Sequence, residues 1–319
     1  MTKTYEGGRP LAEVVRSGFV EGVHRGSAVV LDAAGAPVAG AGDGTSPIFP
    51  RSASKPLQAL GMLRAGLAAT DPADVALVSA SHAGEEFHLA RVAALLRSAG
   101  LDPDALHCPP DLPFGEAARQ AVLRAGGGPS RLAMNCSGKH AGMLLTCLAA
   151  GWPLDGYWRP EHPLQRQLTA AIEEFTGERP AAVGVDGCGA PVLAVSLTGL
   201  ARAFLRLVTA EPGSPERAVA DAMRAYPELV GGTGADDTRL MRGVPGMLAK
   251  IGAEGVIAAA LPGVGAVALK IDDGATRARM PVLVSGLRRL GVQAPVLTEY
   301  AELPLLGGGL PVGAVRPVW

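Results

Sequence analysis

Residues 256–274 read VIAAALPGVGAVALKIDDG. Two apolar runs, Val256–Leu261 and Ala266–Ile271, read as strands around a Pro/Gly break, and Asp272-Asp273-Gly274 suits a turn after the second. Working outward, SAVVL at 27–31 and APVAG at 36–40 flank a turn at Asp32–Gly35 and predict a hairpin. A further strand is expected at Val312–Val318. Between the ends, helical segments are predicted at 52–63, 86–99, 115–126, 140–150, 161–176, 191–210 and 215–226, with another at 275–290. Val75–Val78 reads as a short strand-like run leading to Ser81. Strands at both ends with helices between them argue against alternating βαβ units. The expected fold is α+β: one unit over 1–319, with an antiparallel sheet from about 20–50 and 250–319 and a helical part from about 52–230. Gly263-x-Gly265-x-x-Ala268 mimics a dinucleotide fingerprint, but it leads into a strand instead of a helix, so the phosphate-binding geometry fails.

Composition narrows the function classes. The chain has 319 residues, 48% hydrophobic and only 18% charged, which is the opposite of a disordered bias. A formal net charge of −1 and the lack of a basic block give nucleic acid no electrostatic hold. No run of about 18 apolar residues occurs, so no membrane partner is expected. The opening MTKTYEGGRP has no apolar core of a signal peptide, and a cytoplasmic location is the expectation. Cys108, Cys136, Cys147 and Cys188 are too widely spaced for a disulfide framework. Lysine is rare: Lys3, Lys55, Lys139, Lys250 and Lys270, against 24 arginines among the 29 basic residues. Arginine keeps its proton, whereas a desolvated lysine can release one. The lysines set among small or apolar neighbours, Lys55, Lys139 and Lys270, are therefore the first places to look for chemistry.

Ser52-Ala53-Ser54-Lys55 puts a hydroxyl and an amine three residues apart on one helix face. Serine needs a neighbouring base to become a nucleophile, and a lysine at a helix start can serve. Ser81, in SASHAGEEFH at 79–88, is placed to enter a cleft; His82, Glu85 and His88 fit no zinc-hydrolase pattern. NCSGKHAGMLL at 135–145 repeats the nucleophile-x-x-lysine spacing in Cys136 and Lys139. Cys188, in the turn DGCGAP, supplies a second thiol, and two thiols plus one more donor could bind Zn²⁺. Lys270 ends an apolar strand. The glycine turn ELVGGTGADDT at 228–238 could hold a small ammonium or carboxylate group through Thr233, Asp236 and Asp237.

SGFVEGVHRGSAVVLD, RSASKPLQAL, SASHAGE, NCSGKHAGML, DGCGAPVLAVSL, YPELVGGTGADDT and ALKIDDG, in this order, resemble the bacterial L-asparaginase family typified by a rhizobial enzyme. The likeness spans nearly the whole chain. It implies a fold similar to serine β-lactamases and glutaminases, and two Ser–Lys pairs in one cleft: Ser52 with Lys55, and Ser81 with Lys270. It implies a metal site at Cys136, Lys139 and Cys188, with Zn²⁺ the expected ion and no organic cofactor, and it implies a homodimer. A further cysteine of the family has no counterpart after Cys188. The expected activity is hydrolysis of L-asparagine to L-aspartate and ammonia through an acyl-enzyme on Ser52. Arg51, Asn135, His140 and Asp186 are candidates for the amino-acid head group. The alternatives are a glutaminase or another Ser–Lys amidase, although no S-D-N or K-T-G triplet occurs, and, more distantly, a thiol or metal sensor using Cys136 and Cys188.

Overall fold

The structure is a computed structural model describing residues 4–68 and 71–319; Lys3 lies outside the described residues. The chain opens with β1 (Arg9–Arg16), β2 (Phe19–Asp32) and β3 (Pro37–Ala41). A short β4 (Pro47–Ile48) leads to a single 3-10 turn, Arg51–Ser54. The helices α1 (Lys55–Arg64), α2 (Pro72–Val78), α3 (Glu86–Ser98), α4 (Glu116–Arg124), α5 (Ser137–Ala150) and α6 (Pro163–Thr176) follow. Three small strands, β5 (Val183–Val185), β6 (Pro191–Leu193) and β7 (Val195–Ser196), precede α7 (Leu197–Thr209), α8 (Pro215–Ala225), α9 (Pro227–Val230) and α10 (Asp236–Gly243). The chain then returns as β8 (Leu248–Ile251), β9 (Val256–Leu261), β10 (Gly265–Ile271), α11 (Thr276–Arg289), α12 (Pro295–Tyr300), β11 (Leu303–Gly307) and β12 (Leu310–Pro317).

The main sheet has the order β11-β12-β1-β2-β10-β9-β8, with β3 also on β2, and its pairs are antiparallel. The α+β reading holds, with both chain ends in one sheet. The join is the β2–β10 ladder, which sets Ala266 opposite Leu31 and Lys270 opposite Ser27. Every residue from Gly26 to Leu31 and from Gly265 to Leu269 is buried, so both sheet faces are covered there. Helices α7 and α11 pack on these strands, which is why VVL and AVAL are continuous apolar runs instead of alternating ones.

The structure adds α10, β8, α12 and β11, which the sequence patterns do not predict, and it departs from the predicted elements in three further places, each for a local reason. The sheet starts at Arg9, before the expected residue 20: a register shift between Pro10 and Ala12 breaks the two-residue period in β1 that would have revealed it. Val75–Val78 is helical, because the Asp71 side chain accepts from the Ala73 N–H and Pro72 fills the first turn. The segment 191–196 is strand, and α7 begins only at Leu197, where Ser196 Oγ caps the Gly199 N–H. No helix among the described residues is long and apolar enough to cross a membrane.

The end of β8 is where the sheet meets the helical part. A Cβ on Gly252 would lie 2.4 Å from the Pro50 carbonyl oxygen and 3.3 Å from the Ala53 nitrogen. Backbone therefore packs on backbone, and the 3-10 turn carrying Ser52 is seated against the sheet edge. Replacing Gly252 by Ala should force these backbones apart at a cost of about 1–3 kcal/mol. Thermal unfolding monitored by circular dichroism should show the lowered midpoint; an unchanged midpoint would mean that the contact is not held.

Candidate active site

Ser52 and Ser81 line one cavity of about 790 Å³, together with Asn135. Arg51, just before Ser52, has φ +52°, a left-handed conformation that a residue with a side chain rarely adopts. Its guanidinium is tied down: Nε donates to Asp186 Oδ1 at 2.7 Å, and Glu254 lies 3.8 Å away. Those ion pairs offset the backbone strain and aim the next residue, Ser52, at the cavity. Ser52 Oγ has no hydrogen-bond partner among the described residues.

Lys55 begins α1 and is 1% exposed. Its ammonium donates to Ser81 Oγ at 2.9 Å and to the Ala80 carbonyl at 2.5 Å. The Lys55 charge reaches His82, whose imidazole is held well below its ordinary range by burial first, then by His88 and Lys55. His82 Nε2 bonds Ser137 Oγ. His88 faces inward too: its ring accepts from the Glu85 N–H and bonds the Glu228 carbonyl, so both of its nitrogens are engaged.

Lys270 is not the partner of Ser81. Its ammonium donates to the carbonyls of Glu254 and, more weakly, Ile271, and it does not line the cavity. The sheet order explains the displacement: β10 lies two strands in from the edge, whereas β8 is the edge strand nearest Ser52. The lysine that β8 carries is Lys250, fully buried and paired with the fully buried Asp237 at 3.1 Å. Burial pulls Lys250 below the ordinary lysine range; Lys55 and Arg279 push the same way, and Asp237 opposes them. The rarity of lysine flagged Lys250, but its apolar strand context did not single it out.

Of the expected head-group residues, only Asn135 lines the cavity. His140 is fully buried, with Nδ1 on the Tyr157 hydroxyl at 2.8 Å and its ring beside Cys188. Asp186 is engaged by Arg51 and the Gly187 N–H. Glycine turn 231–235 brings Asp236 to the cavity, while Thr233 is held by Glu85 instead.

Cys136, Lys139 and Cys188 do come together, all nearly sealed from solvent. Lys139 Nζ lies 3.0 Å from Cys188 Sγ. A hydrogen bond from the Cys136 thiol, against the effect of burial and helped by Lys139 and His140, holds the Cys188 thiol far below the usual cysteine range. The same hydrogen bond, with burial, pushes Cys136 up. Burial would depress Lys139, but the sulfur charges of Cys188 and Cys136 outweigh it and raise it. The cluster thus sets the Lys139 amine against two sulfurs, of which Cys188 is the more acidic. Among the described residues no three His, Cys, Asp or Glu side chains converge as metal ligands; this set has two thiols with a lysine as its third donor. Its donor chemistry fits a thiophilic ion such as zinc, provided that Lys139 gives up its proton.

Removing one member of a buried ion pair strands the other charge, at a cost of about 3–5 kcal/mol. Asp237→Asn should therefore destabilise the protein strongly in urea unfolding. Adding Lys250→Met to it should recover most of the loss. Equal stability of the single variant and the parent would show that Lys250 is neutral in the fold.

Solved structures similar to this chain share little sequence with it. Mglu in its native form is 17% identical over 82% of this chain and 63% of its own, with a TM-score of 0.43. This chain thus spans less than two thirds of the Mglu chain. A beta-lactamase from Mycobacterium bovis is 16% identical over 84% of this chain and 95% of its own, TM-score 0.46. Simvastatin synthase from Aspergillus terreus is 13% identical over 86% and 93%, TM-score 0.37. No curated protein matches the chain. The L-asparaginase II family model matches residues 12–317, which takes in the Ser52 turn, Ser81, both thiols and the edge strand, and the chain belongs to that family.

Proposed function

We propose that this chain hydrolyses the side-chain amide of L-asparagine to L-aspartate and ammonia, with Ser52 as nucleophile. The observation that carries the reading is the 2.9 Å bond between Lys55 and Ser81 beside an unpartnered Ser52 hydroxyl in the same cavity. Ser52 Oγ attacks the amide carbon while its proton passes to Lys55 in the neutral form. The carbonyl electron pair moves onto oxygen. Ser52 and Ala253 line the cavity, and their N–H groups, which have no backbone acceptor among the described residues, are suited to hold that oxyanion. The C–N bond then breaks as the nitrogen takes the Ser81 proton, and Ser81 is reprotonated by Lys55 across their hydrogen bond. Ammonia leaves. Water attacks the ester by the reverse relay, which frees Ser52 and aspartate.

Lys250 is buried beside this relay, and the Lys55 charge adds to the burial that pulls Lys250 below the ordinary lysine range. Lys270, tied to backbone carbonyls, has no part in it. The family likeness supports a homodimer and a zinc ion. Cys136, Lys139 and Cys188 would hold that ion, which when bound would supply a fixed positive charge beside Asn135 to orient substrate.

The test is ammonia release from L-asparagine and L-glutamine by the parent and by Ser52→Ala, with and without added zinc. Asparagine turnover should fall by on the order of 10³-fold or more in the variant. Undiminished turnover would remove Ser52 from the mechanism, and faster release from glutamine would reassign the substrate. Zinc binding to chelator-treated protein should release protons, because Cys136 and Lys139 must both lose theirs to become ligands. Calorimetry in buffers of differing ionisation enthalpy reads that release, and its absence would exclude the lysine as ligand.

A further inference from the structure

The cavity has a set of lining residues that the relay does not use: Asp236 from α10, Arg277 and Arg279 from α11, and Tyr300 from α12. They form a connected arrangement. Asp236 Oδ2 accepts from Arg279 at 2.9 Å, and Oδ1 accepts from the Tyr300 hydroxyl at 2.9 Å. A carboxylate offers about four lone-pair sites, so Asp236, still part-exposed to the cavity, keeps acceptor capacity. Arg279 is 5% exposed, and its Nε has no partner. A guanidinium carries five N–H donors, and only one of those on Arg279 has a partner among the described residues. Burial of a charged group with most of its donors unmet is costly unless something else meets them.

Arg277 is held differently. Its Nε donates to His24 Nε2 at 2.9 Å, which makes that nitrogen the acceptor; His24 Nδ1 then carries the proton and donates to Asp273 Oδ2 at 2.7 Å. The Asp273–His24 pair thus fixes the stem of the Arg277 guanidinium and leaves both terminal amino groups without a partner among the described residues. Two arginines against one aspartate leave this part of the wall net positive, with one acceptor at its centre. That pattern matches a zwitterion: a carboxylate for the free arginine donors and an ammonium for Asp236. The residues first expected to read the head group are occupied elsewhere, Arg51 and Asp186 by each other and His140 by Tyr157.

We propose that Arg277 and Arg279 bind the α-carboxylate, and Asp236 the α-ammonium, of an amino-acid amide whose side-chain amide reaches Ser52. The clamp rests on the amidohydrolase reading above and adds the residues that make a free α-amino acid the substrate class. His24 is a positioning residue that acts through Arg277.

Three amides separate the contributions: L-asparagine, succinamate, which lacks the ammonium, and 3-aminopropanamide, which lacks the carboxylate. Arg277→Gln, at an exposed position, should raise KM about tenfold or more for asparagine and succinamate, with kcat much less affected. Its effect on 3-aminopropanamide should be far smaller. Asp236→Asn should raise KM for asparagine and 3-aminopropanamide but not for succinamate. His24→Phe should reproduce the Arg277→Gln pattern in weaker form. Equal penalties on all three amides, or none, in variants with parental circular dichroism would overturn the clamp. Calorimetric binding of L-aspartate to the same variants keeps the two readings apart. Arginine-dependent binding without any amide turnover would sink the amidohydrolase reading and keep the clamp; asparagine turnover with KM unmoved in both variants would do the reverse.

Discussion

A lysine ammonium taken out of water loses several kcal/mol of hydration, and it stays charged inside a protein only where partners replace that water. Among the described residues three lysines are buried, Lys55, Lys139 and Lys250, each no more than 1% exposed. Much of the architecture is explained by what each requires. Lys55 finds Ser81 and the Ala80 carbonyl, Lys139 finds the Cys188 sulfur, and Lys250 finds Asp237. Each partner lies on a different element from its lysine and at some distance in sequence. The Lys250 pair joins the edge strand β8 to α10, so the sheet edge and the helical part must be docked for that charge to be tolerated, while the Lys55 and Lys139 pairs hold the helical part to itself.

That docking is tight because glycine makes it so. Gly252 lets the end of β8 lie against the turn that bears Ser52, and Arg51 accepts a left-handed backbone there because Asp186 holds its guanidinium. The nucleophile candidate is thus set by a strained residue before it, a buried lysine after it and a sheet edge beside it. Few ways remain for Ser52 to turn away from the cavity. The thiol cluster lies behind the same wall: Cys136 follows Asn135, which lines the cavity, and its thiol bonds the Asn135 side chain. A change at the sulfur site has a direct covalent route to the substrate cavity.

Local chemistry made much of this legible before any coordinates. The order of strands and helices along the chain predicts an antiparallel sheet closed by both termini, because apolar runs bounded by turns can only be buried by pairing. The rarity of lysine against arginine marks Lys55 and Lys139, and the spacing in Ser52-x-x-Lys55 marks a nucleophile beside an amine. The Lys270 assignment failed for a physical reason. A strand-borne lysine looks the same in sequence whether its strand is central or at an edge, and only the pairing order distinguishes β10 from β8. His140 failed similarly: a histidine one residue after Lys139 points to another side of α5, and the packing of Tyr157 decides that it faces inward.

What the sequence alone determined is therefore many of the local elements and a set of candidate groups, because turn chemistry, helix caps and residue rarity are properties of neighbours in the chain. Which groups meet was decided by tertiary structure. Lys55 with Ser81, Lys250 with Asp237, Lys139 with Cys188, and Arg277 with His24 are all long-range pairs, and a long-range pair depends on sheet order and helix docking. Those in turn follow from how the whole apolar core closes, a property that no single stretch of the chain carries.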